Sequence, residues 1–212
     1  MSTQIGVGFS QDLSPTLAAR DAALQARTFI QEHDADLIFV FSTSHYQHPE
    51  VLKTIRQTLN HPKTIGCSTA AIILNDKISP RGIGVLAIKS QEIKFGIGYV
   101  NGLTSVDTRS AGAQLAQATI MNLGAGRRNT FILFADGLQK ETPSILKGAQ
   151  EIFGKFFPIL GAKSISNLED KEACQFFQEQ SLTSSATAVL LGGPFQARLR
   201  RGLRPGPTRD DS

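Results

Sequence analysis

Hydrophobic residues in this chain fall into two kinds of segment, short unbroken or alternating apolar runs and stripes spaced by three and four. Ile5-Gly-Val-Gly-Phe9 alternates small and apolar residues and ends in the polar turn Ser10-Gln-Asp-Leu-Ser14, which predicts a strand. A helix is predicted next. Ser14 suits its cap and Pro15 its first position, and Leu17, Ala18, Ala22, Leu24, Ala26, Phe29 and Ile30 form its apolar stripe up to about Gln31. The many alanines on that face imply close packing. Leu37-Ile-Phe-Val-Phe41 is too short for a helix and rich in strand formers, so it reads as a strand buried on both faces. A second helix from Pro49 carries Val51, Leu52, Ile55 and Leu59 and stops at His61-Pro62. Strands are expected at Thr64–Cys67 and Ile83–Ile88, separated by a loop around Asn75 to Arg81, and Glu92–Val100 reads as extended.

The second half replays this order. Gly6-Val-Gly-Phe9 returns as Gly96-Ile-Gly-Tyr99, and the alanine-rich helix as Ser110–Ile120. Leu37–Phe41 returns as Thr130–Phe134, and the helix after Pro49 as the one after Pro143, with Ile145, Leu146, Ala149 and Phe153. Thr64–Cys67 matches Pro158–Ala162, and Val85–Ile88 matches Ala188–Leu191. Growing offsets place insertions in loops such as Asn167 to Glu172. The expected fold class is α/β, a single layered body of two similar strand-helix-strand-helix-strand-strand halves, about 4–92 and 93–193, produced by internal duplication. Pattern alone does not give the strand order.

Composition narrows the function classes. Hydrophobic residues make up 41% of the 212 and charged ones 19%, enough for a sizeable core and unlike a disordered chain. No apolar run approaches the roughly 18 residues of a membrane span. The N-terminal residues lack the basic, apolar and small-residue succession of a secretory signal, so a cytoplasmic, non-membrane protein is expected. Of 22 basic and 18 acidic residues, five Arg and two Asp lie in 198–212, leaving 17 against 16 elsewhere. The basic patch of a nucleic-acid binder is therefore not indicated, and any such affinity would reside in the tail.

Candidate chemistry concentrates where strands end. Cys67 lies between Gly66 and Ser68-Thr69, a position suited to a nucleophile but equally to a small packing residue, and its counterpart Ala162 has no thiol. Cys67 and Cys174 form neither a disulfide framework nor a zinc pattern, and His45 and His48 lack further ligands at a telling distance, so no metal or cofactor is expected. Asp136-Gly137 follows the second half's central strand where Ser42, Thr43 and Ser44 follow the first's. Ligands of open α/β sheets collect at such carboxyl ends, although Asp-Gly also serves as a plain turn. Glycine-rich nucleotide motifs and the serine-hydrolase elbow are absent from the sequence.

Several of these segments together resemble the N-terminal domain of the FIST family: Asp36-Leu-Ile-Phe-Val-Phe41 with Ser44 and Tyr46, Thr64-Ile-Gly-Cys-Ser-Thr69, Gly84-Val-Leu-Ala-Ile88, Phe134-Ala-Asp-Gly137 and Pro158-Ile-Leu-Gly161. The resemblance implies a sensory domain of signal transduction, over residues 1–195, that binds a small ligand such as an amino acid or related metabolite. Combined with strand-end position, it nominates Ser42, Thr43, Ser44, Tyr46, Gly66, Cys67, Ser68, Thr69, Asp136 and Gly137 as ligand-binding residues. Its expected partners are a signalling protein or a C-terminal FIST domain, and residues 196–212, with Gly202-Leu-Arg-Pro-Gly-Pro207, read as a flexible basic tail or truncated linker. Two other readings stand beside it: a cysteine-dependent enzyme using Cys67 with His45 or His48, and an interaction subunit without a small ligand.

Overall fold

A computed structural model describes residues 3–30, 34–46, 48–75, 77–137, 142–165 and 173–195. Its first unit runs β1 (Gln4–Ser10), α1 (Pro15–Phe29), β2 (Leu37–Thr43), α2 (His48–Thr58), β3 (Lys63–Thr69), β4 (Ile72–Leu74), β5 (Lys77–Ser79) and β6 (Ile83–Lys89). The second runs β7 (Lys94–Val100), α3 (Thr108–Leu123), β8 (Arg128–Asp136), α4 (Thr142–Phe153), β9 (Ile159–Ser164), β10 (Gln175–Phe177), β11 (Gln180–Leu182) and β12 (Ala186–Gly192). Ser14 caps α1 by accepting from the Leu17 amide, and Asp107 caps α3 through Arg109 and Ser110.

The strand order that pattern could not supply is β1-β6-β2-β3-β10-β11 in one sheet and β7-β12-β8-β9 in the other. The first four strands of each sheet correspond in order and sense. β1–β6 and β6–β2 are antiparallel and β2–β3 parallel, as β7–β12 and β12–β8 are antiparallel and β8–β9 parallel. The hairpins differ in use. β10–β11 adds antiparallel to β3 of the first unit, whereas β4–β5 forms a two-stranded sheet of its own.

Alternation along the central strands builds four layers. Ile38 and Val40 of β2 join the α1 and α2 alanines and aliphatics, while Leu37 and Phe39 face the other sheet. Phe131, Leu133 and Ala135 of β8 face α3 and α4, and Phe134 meets Phe39 and Phe41 edge-on at 6.1 and 5.7 Å. The two sheets thus share one apolar middle between outer helix pairs.

The Gly-x-Gly repeat acquires a physical reason here. Gly6 and Gly8 lie so close to α1 that a Cβ on either would run into the Ala26 or Ala22 carbonyl, and Gly96 stands in the same relation to Thr119 of α3. This proximity also corrects the expected α1 stripe. The buried face is Ala18, Ala19, Ala22, Ala23 and Ala26, with Ala22 and Ala26 directly against β1, while Leu17, Leu24 and Phe29 are exposed. The loop expected between Asn75 and Arg81 is partly the β4–β5 hairpin. The insertion expected at Asn167 to Glu172 and the tail 196–212 lie outside the described residues.

Candidate functional site

In each unit the parallel pair ends in polar side chains, hydroxyls in the first and a carboxylate beside a hydroxyl in the second. Ser42 stands opposite Ser68 and Thr43 opposite Thr69, and in the second unit Asp136 stands opposite Ser164. Ser42, Thr43, Ser68, Asp136 and Ser164 are all buried. Ser44, Thr69 and Gly137 beside them are half-buried, so the rim reaches solvent.

Ser68 joins the two ends. Its carbonyl accepts from the Ile165 amide at 3.3 Å, its hydroxyl accepts from the Cys174 amide at 2.9 Å, and its own amide donates to the Cys174 carbonyl at 2.9 Å. On the second unit's side, the Asp136 carboxylate accepts from the Ser184 amide at 3.1 Å, and the Asp136 amide donates to the Ser185 carbonyl at 3.1 Å. Gln175, fully buried and opposite Cys67, lies between Ser164 and Ser185. The network assigns its amide so that the oxygen accepts from the Ser164 hydroxyl while the nitrogen donates to the Ser185 and Leu182 carbonyls at 3.0 and 3.2 Å. A polar seam therefore runs from Ser68 through Ser164 and Gln175 to Asp136, where the two units meet.

The expected residues divide by placement. Ser42, Thr43, Ser68, Thr69, Asp136 and Gly137 sit at adjoining strand ends. Thr43 also closes its own loop, because its hydroxyl accepts from the Gly82 amide at 3.2 Å and lies 3.2 Å from His45 Nδ1. Tyr46 faces elsewhere: it belongs to the core under α1 and α2, donates to the Asp12 carbonyl at 2.8 Å, and carries the Arg81 guanidinium 5.5 Å above its ring. Gly66 is a packing residue whose missing Cβ makes room for Val40. Cys67 is 4% exposed, and burial pushes its thiol up to about 12, far from a nucleophile's range. His48 lies against Phe176, its ring centroid 4.9 Å away, with Nε2 3.3 Å from the Thr43 carbonyl; burial lowers its pKa from the ordinary value.

Gln175, Ser164 and Ser185 were not nominated by sequence. Their hairpin and strand ends carry no local motif, and pairing with distant strands is what buries them. Surface hollows lie away from this seam. One of about 500 Å³ opens at the amino ends of the strands, lined by Asp36, His61, Lys63, Lys94 and Phe95. Another of about 740 Å³ lies between Phe9 and the β4–β5 hairpin.

A family model for the FIST N domain matches residues 36–209, most of the chain and all of this seam. The chain belongs to the FIST family. At family level, FIST domains are sensory domains of signal transduction. No curated protein matches the chain. Among solved structures, the crystal structure of cyanuric acid hydrolase from A. caulinodans is similar at 8% identity and a TM-score of 0.49, over 92% of this chain and 72% of that one. An uncharacterized protein from Pseudomonas aeruginosa is similar at 13% identity and a TM-score of 0.28, over 50% of this chain and 89% of that one. At these scores neither likeness bears on function. Among the described residues, no helix is long and apolar enough to cross a membrane.

Proposed function

We propose that this FIST domain is a cytoplasmic sensory module, residues 1–195, that binds a small polar ligand such as an amino acid or related metabolite at the seam where its two units meet. The supporting observation is the Ser68 junction, which brings the carboxyl ends of β2 and β3 against that of β9, with Asp136 one strand further. Half-buried Ser44, Thr69 and Gly137 rim it, and the buried groups behind them hold the backbone in place. Donors and acceptors of both kinds converge there, which suits a ligand carrying an amine and a carboxylate. We also infer that the two units arose by duplication, since strand order and pairing sense correspond through β1, β6, β2, β3 and β7, β12, β8, β9.

Ligand binding signals only if it favours one arrangement of the two units over another. A ligand held across the Ser68 junction touches both units, so it acts on their relative placement. A signalling protein, or a C-terminal FIST domain, would receive that change. The test is a thermal-shift screen of the protein against amino acids, dipeptides, nucleotides and divalent metals. A ligand at 100 times its dissociation constant adds about 2.7 kcal/mol of stability. We expect a hit among amino acids or close relatives, and its loss in Thr69→Val. A cooperative melt unmoved by every compound, or a hit indifferent to changes at Thr69 and Asp136, would remove this reading.

A further inference from the structure

The two hairpins of this chain occupy equivalent places in their units and meet different fates. Pairing positions set the equivalence. Gly66 pairs with Val40 as Gly161 pairs with Leu133, and Thr69 with Thr43 as Ser164 with Asp136, so β3 and β9 correspond residue by residue. β4–β5 pairs Ile72 with Ser79 and Leu74 with Lys77, as β10–β11 pairs Gln175 with Leu182 and Phe177 with Gln180. Ile72, Ile73 and Leu74 therefore stand for Gln175, Phe176 and Phe177.

The second unit's hairpin is docked. β10 lies antiparallel on β3, with Gln175 opposite Cys67, Phe176 opposite Gly66 and Phe177 opposite Ile65. That contact leaves Ile65 and Phe176 fully buried. Among the described residues it has no equivalent: no strand pairs with the outer edge of β9, and β4–β5 joins neither sheet. Burial records the difference. Leu160, the counterpart of Ile65, is 39% exposed, and Ile73, the counterpart of Phe176, is 73% exposed. Gly161 and Ala162 are exposed where Gly66 and Cys67 are buried, and Leu146 of α4 is half-buried where Leu52 of α2 is fully so. The described residues thus hold one open strand edge and one hairpin outside both sheets, whose Ile72 packs on its own unit beside Gly84 while Ile73 and Ile78 stay exposed, and the docked hairpin shows how such an edge and hairpin fit together.

We infer that the β4–β5 hairpin of one copy of this chain docks on the β9 edge of a second copy, antiparallel, with Ile72 opposite Ala162, Ile73 opposite Gly161 and Leu74 opposite Leu160. The occupant is a second copy because the complementary element is in the same sequence, and the contact continues the apolar middle that already joins the two units. Exposed strand edges template pairing with another chain, main-chain hydrogen bonds supplying affinity and alternate side chains the register. The contact is heterologous, hairpin to edge, so it closes into a ring or continues head to tail according to the rotation between copies. Ile73 would reach the α4 side of the partner's sheet, as Phe176 reaches α2, and cover Leu146.

The test is sedimentation velocity over a concentration series of the full chain, with Ile73→Lys, Leu160→Lys, their equimolar mixture and Leu13→Lys. Leu13 is 74% exposed and belongs to neither element, so its variant serves as a control. Circular dichroism and urea midpoints establish that each variant is folded. The wild type should associate as concentration rises, and each docking variant should weaken association by at least about tenfold, as expected when an apolar anchor becomes a charge. The mixture is decisive. Ile73→Lys keeps a usable β9 edge and Leu160→Lys keeps a usable hairpin, so the two together should form a 1:1 complex that neither forms alone. A wild type that stays monomeric at about 100 µM, a Kd weaker than about −5 kcal/mol of binding, overturns the inference. So does unchanged association of Ile73→Lys, or a mixture no different from its parts.

Discussion

Replacing Gly8 with alanine should cost about 3 kcal/mol, because the helix above it has no room to yield. An added Cβ would lie 2.8 Å from both the Ala22 carbonyl carbon and the Ala26 nitrogen, and closer still to the Ala22 oxygen. Ordinary carbon contacts start near 3.5 Å, so α1 would have to retreat by about 1 Å, a gap that forfeits a quarter to a half of each dispersion contact it opens. The contacts at stake are those of five fully buried alanines on that face. Overpacking typically costs about 1–3 kcal/mol, and a clash against backbone rather than a side-chain tip belongs at the upper end. Gly84 is the internal control. Its nearest neighbour to an added Cβ is Ile72 Cγ2 at 3.6 Å, so Gly84→Ala should be neutral or gain up to about 0.5 kcal/mol from a less flexible unfolded chain. Urea unfolding followed by circular dichroism reads both as midpoint shifts at constant slope. In a thermal melt, the Gly8 variant should lose about 6–12 °C, at about 2–4 °C per kcal/mol for a chain of this size. A Gly8→Ala protein within about 0.5 kcal/mol of wild type would refute the account of how helix and strand meet.

The buried thiol gives a second expectation: at pH 8 a disulfide reagent should modify Cys67 only as the protein unfolds, with half-buried Cys174 reacting first. Because burial raises the Cys67 pKa from near 9 to about 12, its contribution to stability is full below about pH 9 and is lost as pH rises toward 12; Cys67→Ala should flatten that alkaline limb in urea titrations. His48 has the opposite sign. Its lowered pKa means that its contribution is full above about 6.5 and is lost as pH falls through the depressed value, and its imidazole proton shifts should titrate below 6.5 by NMR. Asp136→Ala should destabilise by about 1–3 kcal/mol by leaving the Ser184 amide without its acceptor, while Asp136→Asn, which keeps an oxygen there, should lose less, as measured by urea midpoints.

What sequence revealed and what it hid have separable causes. The central strands were legible because burial on both faces leaves an unbroken apolar run such as Leu37–Phe41, and the helices because Ser14-Pro15 and Pro143 mark their starts. The side of α1 that packs differs from the one the apolar spacing predicts. Size ranks Leu17 and Phe29 above alanine as core residues, yet the glycines of β1 bring the helix so near that only alanines fit beneath it. Both hairpins escaped notice because three-residue strands carry too few positions to show alternation. The placement of the candidate residues at strand ends was half legible. Thr43, Ser68 and Asp136 end central strands, a position that sequence reveals, whereas Gln175 and Ser185 owe their burial to pairings with distant strands that no local signal encodes.

Hydrogen exchange of the protein with and without the compound that shifts its melting most would locate the ligand. Binding at the unit junction predicts added protection in 42–44, 68–69 and 136–137, with little change at the opposite strand ends around Asp36, Lys63 and Lys94. Protection confined to those opposite ends, or no protection at the junction in the presence of a saturating ligand, would contradict the assignment of the sensory site.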